Sequence, residues 1–271
     1  MKGICITGAN PLYLQGVLDS LEHAGAQPAL SARREEPIGI HFWHEQVMAA
    51  AADDSEVPRA IDKPGGMWEQ LASDIVVANL KSKVWAWADE HSMWLLDYWL
   101  GFDSRLVFIL VVTSPQHMLA SAMQTRAEAF DVHALMGAWQ VQHQELLRFY
   151  RSNPRRCLLV DAQECVKNPV ALIERANCQW KLALSPAGGR VPEADTPNAL
   201  ALGMAQQICN ARPEAIRLQH EIAATIAQGA QSLLANAQVK VPVQEVERLL
   251  SQLPEVQEEL EHQFLEDHEV F

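Results

Sequence analysis

The run Leu106-Val107-Phe108-Ile109-Leu110-Val111-Val112 constrains this chain more than any other feature. A strand with one wet face alternates apolar and polar residues, because successive side chains point to opposite sides. Seven apolar residues in succession need cover on both faces, which a central strand of a parallel sheet receives from helices above and below. The run is far short of the roughly 18 residues that cross a bilayer. Three other short segments read as strands: residues 3–7, the alternating Val84-Trp85-Ala86-Trp87, and Cys157-Leu158-Leu159-Val160. Between them lie stretches of helical period. Leu14, Val17, Leu18 and Leu21 share one face, and a long amphipathic helix is expected from Val132 to Tyr150. Strand, glycine turn, helix opens the chain, and strands then alternate with helices, the signature of an α/β fold with a central parallel sheet.

Further helices are expected over residues 42–52, 67–81 and 91–100, after Pro115, and from Pro169, a residue suited to a first helical turn. Pro37 and Gly39 break one connection, and residues 53–66 carry turn chemistry. After Trp180 the texture changes. Residues 185–197 are rich in Pro and Gly, and helices are expected over 198–209, 213–236 and 243–267. This divides the chain into an α/β domain, 1–184, and a helical C-terminal extension, 185–271. The extension either packs on the first domain or serves for contacts, a second copy of the chain included.

Charge narrows the partners. Net charge is −13, and seven of the 34 acids lie between Glu255 and Glu269, where there is no Lys or Arg. Removing those seven leaves −6 before Glu255. Such a chain is a poor match for nucleic acid or an anionic membrane surface. No apolar run is long enough for membrane insertion, and the first residues lack the pattern of a secretory signal, so the cytoplasm is the expected location. Five scattered cysteines without a CxxC pair suggest free thiols, neither a disulfide framework nor a zinc site.

Four stations, in order, carry a resemblance. The first is Ile6-Thr7-Gly8 with Ala9-Asn10-Pro11-Leu12-Tyr13-Leu14-Gln15 behind it. The second is Trp85-Ala86-Trp87-Ala88-Asp89-Glu90-His91, with Leu95-Leu96-Asp97-Tyr98-Trp99. The third is Val111-Val112-Thr113-Ser114-Pro115 with Ser121 six residues beyond the proline. The fourth is Trp139, then Leu158-Leu159-Val160-Asp161 to Glu164 and Asn168-Pro169. Over residues 3–184 the chain resembles the sulfotransferase family, bacterial type, which transfers a sulfuryl group from 3′-phosphoadenosine 5′-phosphosulfate (PAPS). The resemblance implies a P-loop-like three-layer fold, with donor-binding positions at Gly8, Asn10, Thr113, Ser114 and Ser121.

The resemblance also implies losses. In the family the first station continues into a loop whose amides, hydroxyls and cation hold the 5′-phosphosulfate. Here Pro11 stands at the arginine position and removes a backbone donor, and Tyr13 stands at a glycine position. Ala88 and His91 replace a lysine and an arginine, and Thr113 replaces the arginine that with Ser121 binds the 3′-phosphate. The chain therefore reads as a degenerate member: a pseudoenzyme or binding scaffold, with an unknown protein partner or a small-molecule acceptor and no required cofactor. The alternative is an active sulfotransferase using PAPS on a hydroxyl of a carbohydrate or small molecule. Its base would come from His41 or His44 in His41-Phe42-Trp43-His44-Glu45, since an imidazole can take a proton near neutral pH. That segment matches no zincin order, and no metal is expected. Trp85, Trp87, Trp94, Tyr98 and Trp99 are expected in the core, and Arg151, Arg155 and Arg156 at a solvated helix end.

Overall fold

The computed structural model describes residues 1–32, 38–51, 60–125, 131–186 and 197–236. Five parallel strands form one sheet: β1 (Lys2–Gly8), β2 (Gln27–Pro28), β3 (Val84–Ala88), β4 (Leu106–Val112) and β5 (Cys157–Asp161), in the order β2-β3-β1-β4-β5. Register pairs Ile6 with Ala88 on one side of β1 and Gly8 with Val111 on the other. Every residue of β3 and β4 is buried, as the apolar run requires. β2 is a two-residue edge strand that pairs with Trp85 and Ala86.

The helices are α1 (Pro11–His23), α2 (Ile40–Ala51), α3 (Gly66–Ala78), α4 (Leu96–Phe102), α5 (Pro115–Thr125), α6 (Val132–Ser152), α7 (Ala162–Lys167), α8 (Pro169–Trp180), α9 (Ala199–Asn210) and α10 (Pro213–Asn236). The helix expected over 91–100 is split: His91–Leu95 forms a 3-10 turn before α4.

Strand residues alternate between two apolar layers. Cys5, Trp85, Trp87, Phe108, Leu110 and Leu159 join one core with Trp43, Ile75, Trp99, Trp139 and Leu146 from α2, α3, α4 and α6. Ile4, Ile6, Ile109, Val111 and Val160 are also buried, between those residues in the alternation, and α1 packs with β1, β3, α7 and α8. The result is three layers, helices over both faces of a parallel sheet. The aromatic group lies in the core as expected, with Trp85 and Trp99 fully buried.

Arg156 corrects an expectation. It is not a solvated helix end: its guanidinium donates to the carbonyls of Leu100, Asp103 and Leu106 at 2.6–2.9 Å and lies 5.6 Å from the Phe108 ring centroid. The five cysteines are free thiols, four of them buried.

The chain divides into two compact units, Met1–Ala230 and Gln231–Phe271. α9 and most of α10 thus belong to the unit of the sheet. In the second unit the described part is the end of α10. Pro37, the helix expected over 243–267 and the acidic stretch from Glu255 lie outside the described residues.

Candidate functional site

From β1 the chain moves toward the β2 edge; from β4 it moves the opposite way, to β5. The order reverses between β1 and β4, and in open parallel sheets ligands sit beyond the carboxyl ends of strands at such a point. Gly8 ends β1 here. A Cβ at Gly8 would run into the carbonyl oxygen of Val111, so close strand pairing alone requires glycine. Asn10 caps α1, its side chain accepting from the Leu12 amide at 3.1 Å, and Pro11 takes the first helical position. Tyr13 is 7% exposed and sits within the influence of Asp161 and Gln163, so it occupies ground on the β5 side of this edge. Burial raises its phenol above the ordinary range.

Thr113 is buried with its backbone fully engaged. Its N–H donates to His143 Nε2 at 3.1 Å, and its carbonyl accepts from Trp139 Nε1 at 2.8 Å. His143 Nδ1 is then the protonated nitrogen, donating to the Trp139 carbonyl at 2.8 Å. Burial pushes the His143 imidazole down to about 4, so it is neutral near pH 7. The Thr113 Oγ1 has no hydrogen-bond partner. Ser114 caps α5: Oγ accepts from the His117 amide at 3.3 Å and shares a 2.9 Å hydrogen bond with His117 Nδ1. Ser121 lies two turns along the same helix, and among the described residues no hydrogen bond joins its hydroxyl to Gly8 or Thr113.

A second group of residues meets at the end of β3. Asp89 is held by its backbone, its N–H donating to the Ile6 carbonyl at 3.0 Å and its carbonyl accepting from Thr7 Oγ1 at 2.8 Å. Its carboxylate, 3% exposed, gathers three histidines. His41 Nδ1 donates to Oδ2 at 2.6 Å, the His91 backbone amide donates to Oδ1 at 2.7 Å, and the His91 Nδ1 lies 3.4 Å from Oδ1. His44 Nδ1 lies 3.4 Å from Oδ2 without a well-directed hydrogen bond. Its Nε2 accepts from Trp99 Nε1 at 3.0 Å, which fixes the neutral tautomer with the proton on Nδ1, facing Asp89.

The electrostatics follow. Burial alone would raise the Asp89 carboxyl, but the hydrogen bond from His41 and the His44 N–H facing it outweigh burial and hold the group far below the usual carboxylate range. The hydrogen bond to Asp89 raises His41 against a smaller desolvation effect, whereas burial lowers His44. The two histidines therefore differ in kind. His44 is a buried prop. His41, 61% exposed, commits Nδ1 to Asp89 and keeps a lone pair on Nε2, the arrangement of an oriented general base. Among the described residues, the one group of three or more His, Cys, Asp and Glu side chains whose ligating atoms all lie within 4.8 Å of one another is Asp89, Glu90 and His91. They are consecutive, and the one carboxylate among them that is buried is already spent on donors.

Of the positions read from sequence, the fold brings Gly8, Asn10, Thr113 and Ser114 to one sheet edge and His41 and His44 to the neighbouring strand end. His143 was not singled out. Its signal was available: it sits one turn after Trp139 on the apolar stripe of α6.

No protein-family model matches the chain, and neither does any curated protein sequence. Among solved structures, the chain is similar to a sulfotransferase domain from the curacin biosynthetic pathway. The two are 13% identical, with 82% of this chain and 98% of that one covered, at a TM-score of 0.47. A likeness of that size carries nothing about chemistry.

Proposed function

We propose that this chain is a sulfotransferase-like protein whose donor site is degenerate, and that it works as a binding scaffold for a protein or small molecule in the cytoplasm. The observation that carries this reading is the bulky side chain in the first turn of α1. Tyr13 is buried where the family resemblance expects a glycine of the phosphate loop. Pro11 removes one amide from the start of α1, and Thr113, at an arginine position, has both backbone groups engaged by α6. A doubly phosphorylated nucleotide carries about four negative charges, which need donors and cations to offset lost hydration. These residues do not fit that group. Calorimetric titration with adenosine 3′,5′-bisphosphate tests the reading. The expected result is no tight complex; a dissociation constant at or below about 10 μM, roughly −7 kcal/mol, overturns it.

One observation favours a second reading, an active sulfotransferase: the His41–Asp89 pair, whose exposed imidazole is oriented to take a proton from an acceptor hydroxyl. The same titration separates the two, because a transferase must hold its donor.

A further inference from the structure

A cavity of about 270 Å³ lies beyond the carboxyl ends of β4 and β5, between the sheet edge and α10. Ligand pockets run from roughly 300 to 1,000 Å³, so this one suits a body about the size of a single aromatic ring. Trp139, Ile222 and Ile226 supply apolar walls, while Thr113, Asp161 and Gln219 supply polar groups.

The polar groups differ in what they have left to offer. His143, also in the lining, has both nitrogens committed to the Trp139 and Thr113 backbones. The Gln219 Oε1 accepts from Gln116 Nε2 at 2.9 Å. The Thr113 hydroxyl is buried without a partner. Asp161 Oδ1 accepts from the Gln163 and Glu164 amides at 2.9 and 3.0 Å, capping α7, and among the described residues no Lys, Arg or His side chain forms an ion pair with this carboxylate. The lining includes no Lys or Arg. One carboxylate and one unused hydroxyl, set against apolar walls, repel an anion and complement a hydrogen-bond-donating cation.

We infer that this cavity binds a small primary amine with an apolar body, its ammonium group between Asp161 and Thr113 and its body against Trp139 and Ile222. This deepens the binding-scaffold reading by naming a ligand class, and it fails separately from it, since the bisphosphate titration does not touch the amine.

The probe is 2-phenylethylamine, with 2-phenylethanol and phenylacetate as neutral and anionic matches, titrated calorimetrically into the full chain. The amine should bind saturably at one site, the alcohol at least about tenfold more weakly, and phenylacetate not at all, tenfold corresponding to about 1.4 kcal/mol. Asp161→Asn keeps a good helix cap and removes the charge, and it should weaken the amine by about tenfold or more. Thr113→Val removes a hydroxyl that bonds nothing in the fold, so it should fold normally and weaken the amine severalfold. Equal binding of amine and phenylacetate, unchanged amine binding in both variants, or no saturable amine binding to about 1 mM each overturns the inference.

Discussion

At the scale of the residue, the two buried histidines set how the protein meets acid. Folded, His143 stays neutral down to about 4; unfolded, it takes up a proton near its ordinary 6.5. Between those values the unfolded chain binds a proton that the folded chain refuses. Stability is therefore full above about 6.5 and is lost as pH falls through that window, by on the order of 3 kcal/mol from this group. A glutamine can present one acceptor to the Thr113 amide and one donor to the Trp139 carbonyl, as the neutral imidazole does. His143→Gln should thus flatten the fall of melting temperature between about pH 6.5 and 4, while His44, also lowered by burial, keeps part of it. Melts across that range check this, and an undiminished slope in the variant counts against it. The sequence disclosed these residues unevenly. His41 and His44 stood out locally, but that 48 positions of chain fold back to place His41 on Asp89 is a tertiary fact with no local trace. At Gly8 two readings meet: a glycine after a strand suggests a phosphate turn, and the carbonyl of Val111 requires glycine there on packing grounds as well.

At the scale of the element, Arg156 shows how a single side chain ties three segments together. Its guanidinium holds the end of α4, the connection at Asp103 and the start of β4, all through backbone carbonyls. Arg156→Ala would leave those carbonyls short of donors and should cost about 2–3 kcal/mol in chemical denaturation. Arg156→Lys should recover little of it, since a compact ammonium cannot span a planar fork of carbonyls. Full rescue by lysine would show that charge, and not geometry, matters. Elements were legible in proportion to their burial. β4 stood out because both of its faces are covered, so every position had to be apolar. β2 left no mark because two exposed residues, Gln27 and Pro28, join the edge through backbone pairing alone. The turn at His91–Leu95 read as helix because its apolar residues are equally at home in either winding.

At the scale of the whole molecule, the question is how much of the helical C-terminal part the sheet domain needs. The composition shift after Trp180 suggests a boundary near residue 185, yet the compact unit continues to Ala230. The reason lies in packing. α9 runs against α5, where Leu119 and Ala120 are fully buried, and it places Ala205 and Cys209 out of solvent; α10 adds Leu218 and Ile222. Burial of Leu218 and Ile222 alone contributes about 3–6 kcal/mol, a large share of the 5–15 kcal/mol by which domains are stable. Proline and glycine mark a long connection on the way to these helices, and nothing in composition distinguishes a connection within one core from a linker between two. A chain ending at Ala230 should therefore unfold in one cooperative transition by circular dichroism. A chain ending at Pro186 should melt far lower or aggregate through the uncovered face of α5. If the chain ending at Pro186 melts as high as the one ending at Ala230, α9 and α10 contribute nothing to the core, and the cavity beyond β4 and β5 loses one of its walls as a structural necessity.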